Sequence, residues 1–224
     1  MLILAADTSG KQGSIALARG FANGNCDVIE VVPLAGGTFS AQLVPQVAAL
    51  LSKHGFKKQD IDGFAVASGP GSFTGLRVGL AAIKGLAEIL GKPIAAVSRL
   101  EALAIAARMR GRILAFLDAS RGEVYLARYE VSAGGATMID ERLVKQDALT
   151  LPEDDSTLVT SDTGIAETLV AKGIPVIAVG LQRSDAIVRL GWKKILASET
   201  VLPETLEANY IRRSDAEIFS KSRS

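Results

Sequence analysis

The chain has 224 residues, of which 48% are hydrophobic and 22% are charged, and its formal net charge is +1. This composition predicts a folded globular protein and excludes disordered, fibrous and strongly basic nucleic-acid-binding classes. The single cysteine, Cys26, excludes an internal disulfide and fits a reducing compartment. The first residues lack the basic segment of a signal peptide, and no uncharged apolar stretch approaches the roughly 20 residues that span a bilayer. We therefore expect a cytoplasmic protein that does not insert in a membrane.

The first half of the chain predicts an alternation of strands and helices. An apolar run at 2–7 is followed by the alternating run GSIALAR at 13–19, which is typical of a hairpin with residues 8–12 as its turn. Ser40 is a residue type that caps helices, and apolar residues then recur at helical spacing. The predicted elements are strands at 2–7, 13–19, 28–34 and 61–67, and helices at 41–53 and 74–90.

The second half of the chain repeats this order of elements. LILAADTS at 2–9 and ILAFLDAS at 113–120 are both apolar strands that end in Asp, a small residue and Ser, and an alternating strand follows each. STLVTSDTGIAETLV at 156–170 predicts a strand, a small polar turn and a helix, as does FAVASGPGSFTGLRVGL at 64–80. We interpret the two halves as products of an internal duplication.

Two α/β halves that each open with a hairpin are typical of the actin-like and sugar-kinase architecture. We therefore predict an α/β fold with two actin-like, ribonuclease-H-like subdomains, each a mixed sheet that opens with an antiparallel hairpin and is flanked by helices. The first subdomain is expected at residues 1–103, completed by a C-terminal helix at about 205–222, and the second at 104–204.

The resemblance to this superfamily also marks a candidate nucleotide cleft. In its ATPases the two hairpin turns straddle the nucleotide phosphates, turn N–H groups bind anions, and aspartate can hold magnesium. The residues in the corresponding positions are Asp7, Thr8, Ser9, Asp118 and Ser120. Asp followed by Thr or Ser is also an ordinary hairpin turn, so the sequence leaves a vestigial cleft and a plain turn both open.

The segment ASGPGSFTGLRVGL at 67–80 allows three interpretations. Its glycines precede a helix and suggest a phosphate cradle, but their spacing matches neither the P-loop nor the dinucleotide fingerprint. A second interpretation is a capping turn, in which Ser72 or Thr74 caps the helix.

The third interpretation is close packing, because the glycines continue into the helix itself. An interior glycine costs about 1 kcal/mol relative to alanine, and Gly75 and Gly79 lie on one helical face. Such a smooth face allows close approach of a helix or sheet, either inside the fold or in a second protein. Phe73, just ahead of this face, is then either an anchor for a partner or an ordinary core residue.

Several segments together resemble the bacterial TsaB (YeaZ) family. The most specific is SGPGSFTGLRVGLAAIKGLA at 68–87, followed by GKPIAAVSRLEALA at 91–104, whereas residues 131–200 match only loosely. The other matches, in order along the chain, are ILAADTS at 3–9, SAQLVPQVAALL at 40–51, LDASRGEVYLARY at 117–129 and NYIR at 209–212.

The resemblance implies a non-catalytic accessory subunit of the system that makes threonylcarbamoyl-adenosine beside the anticodon of tRNA. Family members pair with a catalytic paralogue, TsaD, are joined by the small ATPase TsaE, and form homodimers through the surface that meets TsaD. The chain would then contact tRNA only indirectly, through the complex. Because the family is regarded as degenerate in the nucleotide cleft, we expect no tightly bound cofactor, and ATP with magnesium only weakly or at the interface of the complex.

The same resemblance places the surface for TsaD and for a second copy of the chain on the helices at 41–53 and 74–90. We expect apolar residues at its centre and Arg77 at its rim. The predicted surface residues are Leu43, Val47, Phe73, Leu76, Arg77, Gly79 and Leu80.

No catalytic residue and no metal site is predicted. The only histidine, His54, is expected to be a solvated helix-end residue, so the chain lacks the paired-histidine motif of the catalytic paralogue. Cys26 has no histidine in its surroundings that would activate it as a nucleophile. An alternative hypothesis is a stand-alone ATP-dependent kinase or ATPase of the actin-like superfamily, and a third is a homodimeric binding module unrelated to tRNA.

Overall fold

The structure is a computed structural model that describes residues 1–152 and 154–211. Contacts between residues divide the described chain into two units: unit 1 comprises residues 1–99 and 183–209, and unit 2 comprises residues 100–182 together with residues 210 and 211. Within the described ranges, no helix has both the length and the apolar character needed to cross a membrane.

In chain order the elements alternate between strands and helices in both halves. They are β1 (Leu2–Asp7), β2 (Gly13–Gly20), β3 (Cys26–Leu34), α1 (Phe39–Lys53), β4 (Ile61–Gly69), α2 (Phe73–Leu90), β5 (Ile94–Ser98), α3 (Arg99–Ala106), β6 (Gly111–Ser120), β7 (Glu123–Ser132), β8 (Gly135–Lys145), β9 (Thr157–Thr160), α4 (Thr163–Ala171), β10 (Val176–Ala178) and α5 (Ser184–Leu196).

Unit 1 is built on a five-stranded mixed sheet in the order β3-β2-β1-β4-β5. β1, β2 and β3 are antiparallel, and β4 and β5 run parallel to β1. All six residues of β1 are buried, as expected for a central strand covered on both faces. Leu4 and Val66 share one core with α1 and α2, whereas Ala65, the neighbour of Val66, faces α5. Helices therefore cover both faces of the sheet.

Unit 2 repeats this arrangement with the strand order β10-β9-β6-β7-β8. β6, β7 and β8 are antiparallel, and β9 is parallel to β6 and to β10. Leu100 and Leu103 of α3 belong to a core on one face, and Ile165 and Leu169 of α4 belong to a core on the other. The matching strand orders confirm the predicted fold of two mixed sheets that each open with an antiparallel hairpin, and they support the duplication.

The predicted subdomain boundaries differ from the observed units at α5. This helix was expected in the second subdomain, at 104–204, but it packs on the sheet of unit 1. Gly191 approaches β4 so closely that a Cβ on it would overlap the side chain of Ala65. The indole N–H of Trp192 donates a hydrogen bond of 3.1 Å to the carbonyl of Phe21. The apolar contacts of α5 with this sheet therefore determine the unit in which it lies.

Two further details differ from the prediction. α1 begins at Phe39 with Thr38 in the capping position, so Ser40 lies inside the helix and is not its cap. Residues 203–205 form a single 3₁₀ turn, and residues 206–211 are not helical. The rest of the C-terminal helix predicted at 205–222 lies outside the described residues.

Candidate functional site

The turn after β1, residues 7–9, is covered by the glycine loop, residues 69–75. The amide of Ser72 donates a hydrogen bond of 2.7 Å to the carbonyl of Ser9. The hydroxyl of Thr8 donates a hydrogen bond of 2.7 Å to the carbonyl of Gly75. Thr8 and Ser9 are each only 2% exposed. The first turn is therefore closed over by a loop of the same unit.

Three glycines make this close approach possible. A Cβ on Gly71 would lie 2.8 Å from the Cβ of Ser9, a distance that real Cβ contacts do not show. A Cβ on Gly75 would overlap the carbonyl of Thr8, and a Cβ on Gly79 would overlap its hydroxyl. The glycines serve close packing, as one of the three interpretations predicted, and the neighbour they approach is the first turn of the same chain.

The helix cap and the glycine loop belong to one structure. Of the two candidate caps, Ser72 occupies the capping position of α2, and its hydroxyl accepts a hydrogen bond of 3.3 Å from the amide of Gly75. A capped helix start and a closely packed loop are therefore both present, since Ser72 also donates its own amide to the first turn.

The carboxylate of Asp7 is buried, and its partners lie inside unit 1. Its Oδ1 accepts hydrogen bonds from the amide of Ser9, at 2.9 Å, and from the hydroxyl of the same residue. Its Oδ2 lies 4.0 Å from Nε of Arg99, and Nη1 of Arg99 donates a hydrogen bond of 3.0 Å to the carbonyl of Pro70. Asp7 is thus neutralised by a residue of its own unit.

Sequence reasoning did not single out Arg99, although a signal for it existed. β1, β4 and β5 are parallel, so their carboxyl ends meet at one edge of the sheet. Asp7, Gly69 and Arg99 end or directly follow these three strands. A cation at the end of one strand and an anion at the end of another are therefore placed close together by the topology.

The second hairpin turn repeats the first in its hydrogen bonding but not in its exposure. Oδ1 of Asp118 accepts a hydrogen bond of 2.8 Å from the amide of Ser120, as Asp7 does from Ser9. The amide of Asp118 donates a hydrogen bond of 2.8 Å to Oδ2 of Asp162, just before α4. Asp118 and Ser120 are exposed, whereas their counterparts in unit 1 are buried. Asp162, which the sequence analysis did not name, directly precedes α4 as the glycine loop leads into α2, and it bonds to the second turn without burying it.

Five of the seven residues predicted for the partner surface lie in the core of unit 1 and are not on its surface. Leu43, Val47, Leu76 and Leu80 are at most 7% exposed and belong to the core between the sheet, α1 and α2, and Gly79 is buried against the first turn. These side chains face the sheet because it is the nearest apolar surface on which an amphipathic helix can pack.

Phe73 and Arg77 remain on the exposed side of α2. The ring of Phe73 is 37% exposed, so it is not a core residue. The guanidinium carbon of Arg77 lies 3.8 Å from the centre of this ring, in the geometry of a cation–π contact. The two side chains therefore form one flat aromatic and cationic surface on the first turns of α2.

The exposed side of α1 carries no charge before Lys53, the last residue of the helix. No charged residue occurs between Phe39 and Ser52, and Val44 is 52% exposed. We give the name outer face to seven exposed residues of α1 and α2. Uncharged, partly apolar surfaces of this kind are typical of sites of protein interaction. The outer face consists of Ala41, Val44, Pro45, Ala48, Phe73, Arg77 and Ala81.

His54 lies at the end of α1, as predicted, but its side chain is only partly exposed and is paired with a carboxylate. Its Nε2 lies 2.7 Å from Oε2 of Glu30 on β3, and Nζ of Lys53 lies 2.7 Å from Oε1 of the same carboxylate. The hydrogen bonds from Lys53 and His54 hold the pKa of Glu30 below its ordinary value. The end of α1 is thereby tied to the edge strand of the sheet.

Cys26 lies on β3 and is buried, at 6% exposed. Burial raises the pKa of its thiol, although the positive charge of Arg189 opposes this effect. A thiol with a raised pKa is a poor nucleophile at neutral pH. The position of Cys26 is therefore that of a core residue.

Two further features of the described residues bear on ligands. No three His, Cys, Asp or Glu side chains within 1–152 and 154–211 lie together as metal ligands. A depression of about 470 Å³ lies in unit 2 beside the second hairpin turn, and its lining includes the cations Arg121, Lys145 and Lys172 and the anions Glu123 and Asp147. Because both signs of charge line it, this depression does not concentrate a strong field of one sign.

The duplicated sheets define an actin-like protein, and comparison with known proteins identifies its family. Residues 31–184, more than half of the chain, match the family model described as TsaD: tRNA N6-adenosine threonylcarbamoyltransferase. The chain is 39% identical over 135 residues to the tRNA threonylcarbamoyladenosine biosynthesis protein TsaB of Bacillus subtilis. This match covers 60% of this chain and 57% of the relative. It is 37% identical over 139 residues to the TsaB protein of Escherichia coli, and this match covers 60% of this chain and 58% of that relative. The chain belongs to the TsaB (YeaZ) family.

Solved structures agree with this assignment. YeaZ from Pseudomonas aeruginosa superposes with a TM-score of 0.73 at 27% identity, over 93% of this chain and 99% of that one. A second structure, of a protein with similarity to YeaZ from the same organism, gives a TM-score of 0.76 at 27% identity. The superposition covers 94% of this chain and 99% of that one. The segments matched in the two TsaB proteins amount to less than two thirds of the length of those relatives.

Proposed function

We propose that this chain is a non-catalytic accessory subunit for threonylcarbamoylation of the adenosine next to the anticodon in tRNA, and that it acts by pairing with a TsaD-type catalytic partner. The names of its relatives in Bacillus subtilis and Escherichia coli support the pathway. The match to the family model described as TsaD supports kinship with the transferase itself.

The closure of the first turn is the observation that carries the non-catalytic part of this proposal. An actin-like ATPase needs free donors in this turn for phosphate, and a free carboxylate for magnesium. Here the Thr8 hydroxyl, the Ser9 amide and the Asp7 carboxylate already have partners, and Arg99 faces the carboxylate. These residues do not fit a phosphate unless the glycine loop moves away. We infer no tightly bound cofactor, with ATP and magnesium bound only weakly or at the interface of the complex.

The outer face is the surface that we assign to the partner. It carries no charge on α1, and its exposed valine and aromatic ring supply the apolar centre that protein interfaces require. Arg77 stacks on Phe73 and adds a cation at the rim of this apolar centre. We propose that a TsaD-type partner covers this face and that a second copy of the chain competes for the same residues. TsaE then joins the complex of the chain with its partner. The chain contacts tRNA only through this complex.

Reconstitution of the modification tests the proposal. Purified TsaD-type transferase and TsaE of the same organism are supplied with tRNA, threonylcarbamoyl-adenylate and ATP, with or without this chain, and threonylcarbamoyl-adenosine is measured in the digested tRNA. We expect modification to require the chain, and a variant that cannot bind the transferase to be inactive. Equal modification without the chain would refute an accessory role.

The alternative, a stand-alone ATPase, has one observation in its favour. The second turn, with Asp118 and Ser120 exposed and Asp162 close by, is not covered by a glycine loop. Titration of the isolated chain with ATP and magnesium distinguishes the two hypotheses. Micromolar binding with release of phosphate, lost in the Asp118→Asn variant, would favour the ATPase, whereas weak binding without turnover is expected for the accessory subunit.

A further inference from the structure

One guanidinium joins two segments of unit 1 that are distant in sequence. Arg99 reaches the carboxylate of Asp7 with Nε, at 4.0 Å, and the carbonyl of Pro70 with Nη1, at 3.0 Å. The first contact is to the turn after β1, and the second is to the glycine loop. Removal of Arg99 would therefore release the loop from one of its attachments to the first turn.

Burial makes this arrangement sensitive to the loss of the cation. The side chains of Asp7 and Arg99 are only 9% and 15% exposed. A buried carboxylate without its cation is costly, whereas the neutral amide of asparagine costs much less. Only arginine carries several donors in a rigid fork, so a lysine at this position could not address both partners equally well.

The loop held by Arg99 leads directly into the outer face. Pro70 is followed by Ser72, whose amide bonds to Ser9 and whose hydroxyl caps α2. Phe73 is the next residue, and Arg77 stacks on its ring one turn later. The direction in which these two side chains project is therefore determined by how the loop lies on the first turn.

We propose that Arg99 is a positioning residue for partner docking, which fixes the glycine loop on the first turn and thereby orients Phe73 and Arg77 toward a TsaD-type transferase. Arg99 acts without forming part of the docking surface, since its own side chain is nearly buried. This inference rests on the proposed function for the identity of the partner. Its geometric part, the tethering of the loop, concerns this chain alone.

Hydrogen exchange of the isolated full chain tests the tether. We compare the wild type with Arg99→Gln and with the double variant Asp7→Asn/Arg99→Gln, in which no uncompensated carboxylate remains. Both variants should exchange the amide of Ser72 faster, by at least about tenfold, because a hydrogen bond to a charged group is lost nearby. Arg189→Gln is the matched control, since Arg189 donates to the carbonyl of Cys26, away from the loop. Unchanged exchange at Ser72 in both variants would overturn the tether.

Affinity for the transferase, measured by calorimetry, tests the docking role. We expect Asp7→Asn/Arg99→Gln to unfold near the wild-type temperature but to bind the transferase about tenfold more weakly. Asp7→Asn alone should keep the wild-type affinity, because the bond from Arg99 to Pro70 remains. A purely structural role predicts that affinity recovers together with stability in the double variant, and that result would overturn the proposal. If the wild type itself does not bind the transferase, the proposed function fails, while the exchange experiment still decides whether Arg99 tethers the loop.

Discussion

The hydroxyl oxygen of Thr8 occupies the space in which a side chain at position 79 would stand. Thr8 lies just after β1, and Gly79 lies on the second turn of α2, so the helix rests directly on the hairpin turn. The same hydroxyl donates to the carbonyl of Gly75. This contact explains why a helix with good apolar residues nevertheless contains glycine at the point where it crosses the turn.

Gly79→Val should destabilise the isolated chain. A branched side chain would be forced against Thr8 in a closely packed region, and overpacking of this kind costs about 1–3 kcal/mol. The free energy of unfolding in urea measures the effect. Gly85→Val is the matched control on the same helix, because a Cβ there meets no atom within 4 Å.

The outcome at Gly79 also bears on the packing itself. If the clash with the Thr8 hydroxyl is the cause, Thr8→Ala should reduce the cost of Gly79→Val, which a double-mutant cycle detects. Equal stability of Gly79→Val and Gly85→Val would contradict the close contact between α2 and the first turn.

Val44→Glu should abolish binding of the transferase and leave the fold intact. Val44 is 52% exposed on the uncharged side of α1, so a charge there is tolerated in the free chain but is buried without a partner in a complex. We expect at least about a hundredfold loss of affinity with an unchanged unfolding temperature. Val170→Glu on α4 is the matched control, since that valine is 55% exposed and lies outside the outer face. Similar losses for both variants would show that the outer face is not the docking site.

The link between Glu30 and the end of α1 should weaken in acid. Because the bonds from Lys53 and His54 lower the pKa of Glu30, the folded chain binds this proton less tightly than the unfolded chain. The stability from this carboxylate is therefore fully present above its ordinary pKa of 4.5 and is lost as the pH falls through the lower folded value.

Variants at this link test the sign of the effect. Urea unfolding is measured at about pH 6 and at about pH 3, and the loss of stability should be smaller in Glu30→Gln than in the wild type. His54→Ala removes one of the two side chains that bond to Glu30, so its loss of stability should lie between those of the wild type and Glu30→Gln. An equal loss in Glu30→Gln and the wild type would mean that this carboxylate is not stabilised in the folded chain.

Cys26 should react slowly with thiol reagents while the chain is folded. Burial covers its sulfur and raises the pKa of the thiol, so both access and thiolate content are reduced. Labelling with an aromatic disulfide at about pH 8 should be more than tenfold slower in buffer than in urea. Since the chain has only this cysteine, the rate reports on one site. Equal rates in buffer and urea would contradict its burial.

The sequence predicts the strands and the duplication because alternation and buried apolar runs are local signals. The two Asp-containing turns likewise repeat in both halves, and each has a hydrogen bond from the amide of the serine to Oδ1 of the aspartate. The inner and outer sides of α1 could not be told apart in this way. Leu43 and Val47 face the core while Val44 faces outward, and no charged residue before Lys53 marks the outer side of this helix.

Long-range contacts account for the rest of what was missed. The pairing of Asp7 with Arg99 joins the ends of two strands that only the sheet order brings together. α5 follows unit 2 in the chain, yet Gly191 and Trp192 fit the sheet of unit 1. Such contacts depend on the tertiary arrangement and leave no pattern within a short window of sequence.

The closed first turn also limits how this chain can evolve. A larger residue at Gly71, Gly75 or Gly79 clashes before any nucleotide can bind, and loss of Arg99 leaves the buried Asp7 without its cation. Each single substitution that would open this turn to a phosphate therefore costs stability without an immediate gain. The closed turn is kept for this reason, and selection acts more freely on the exposed residues of the chain.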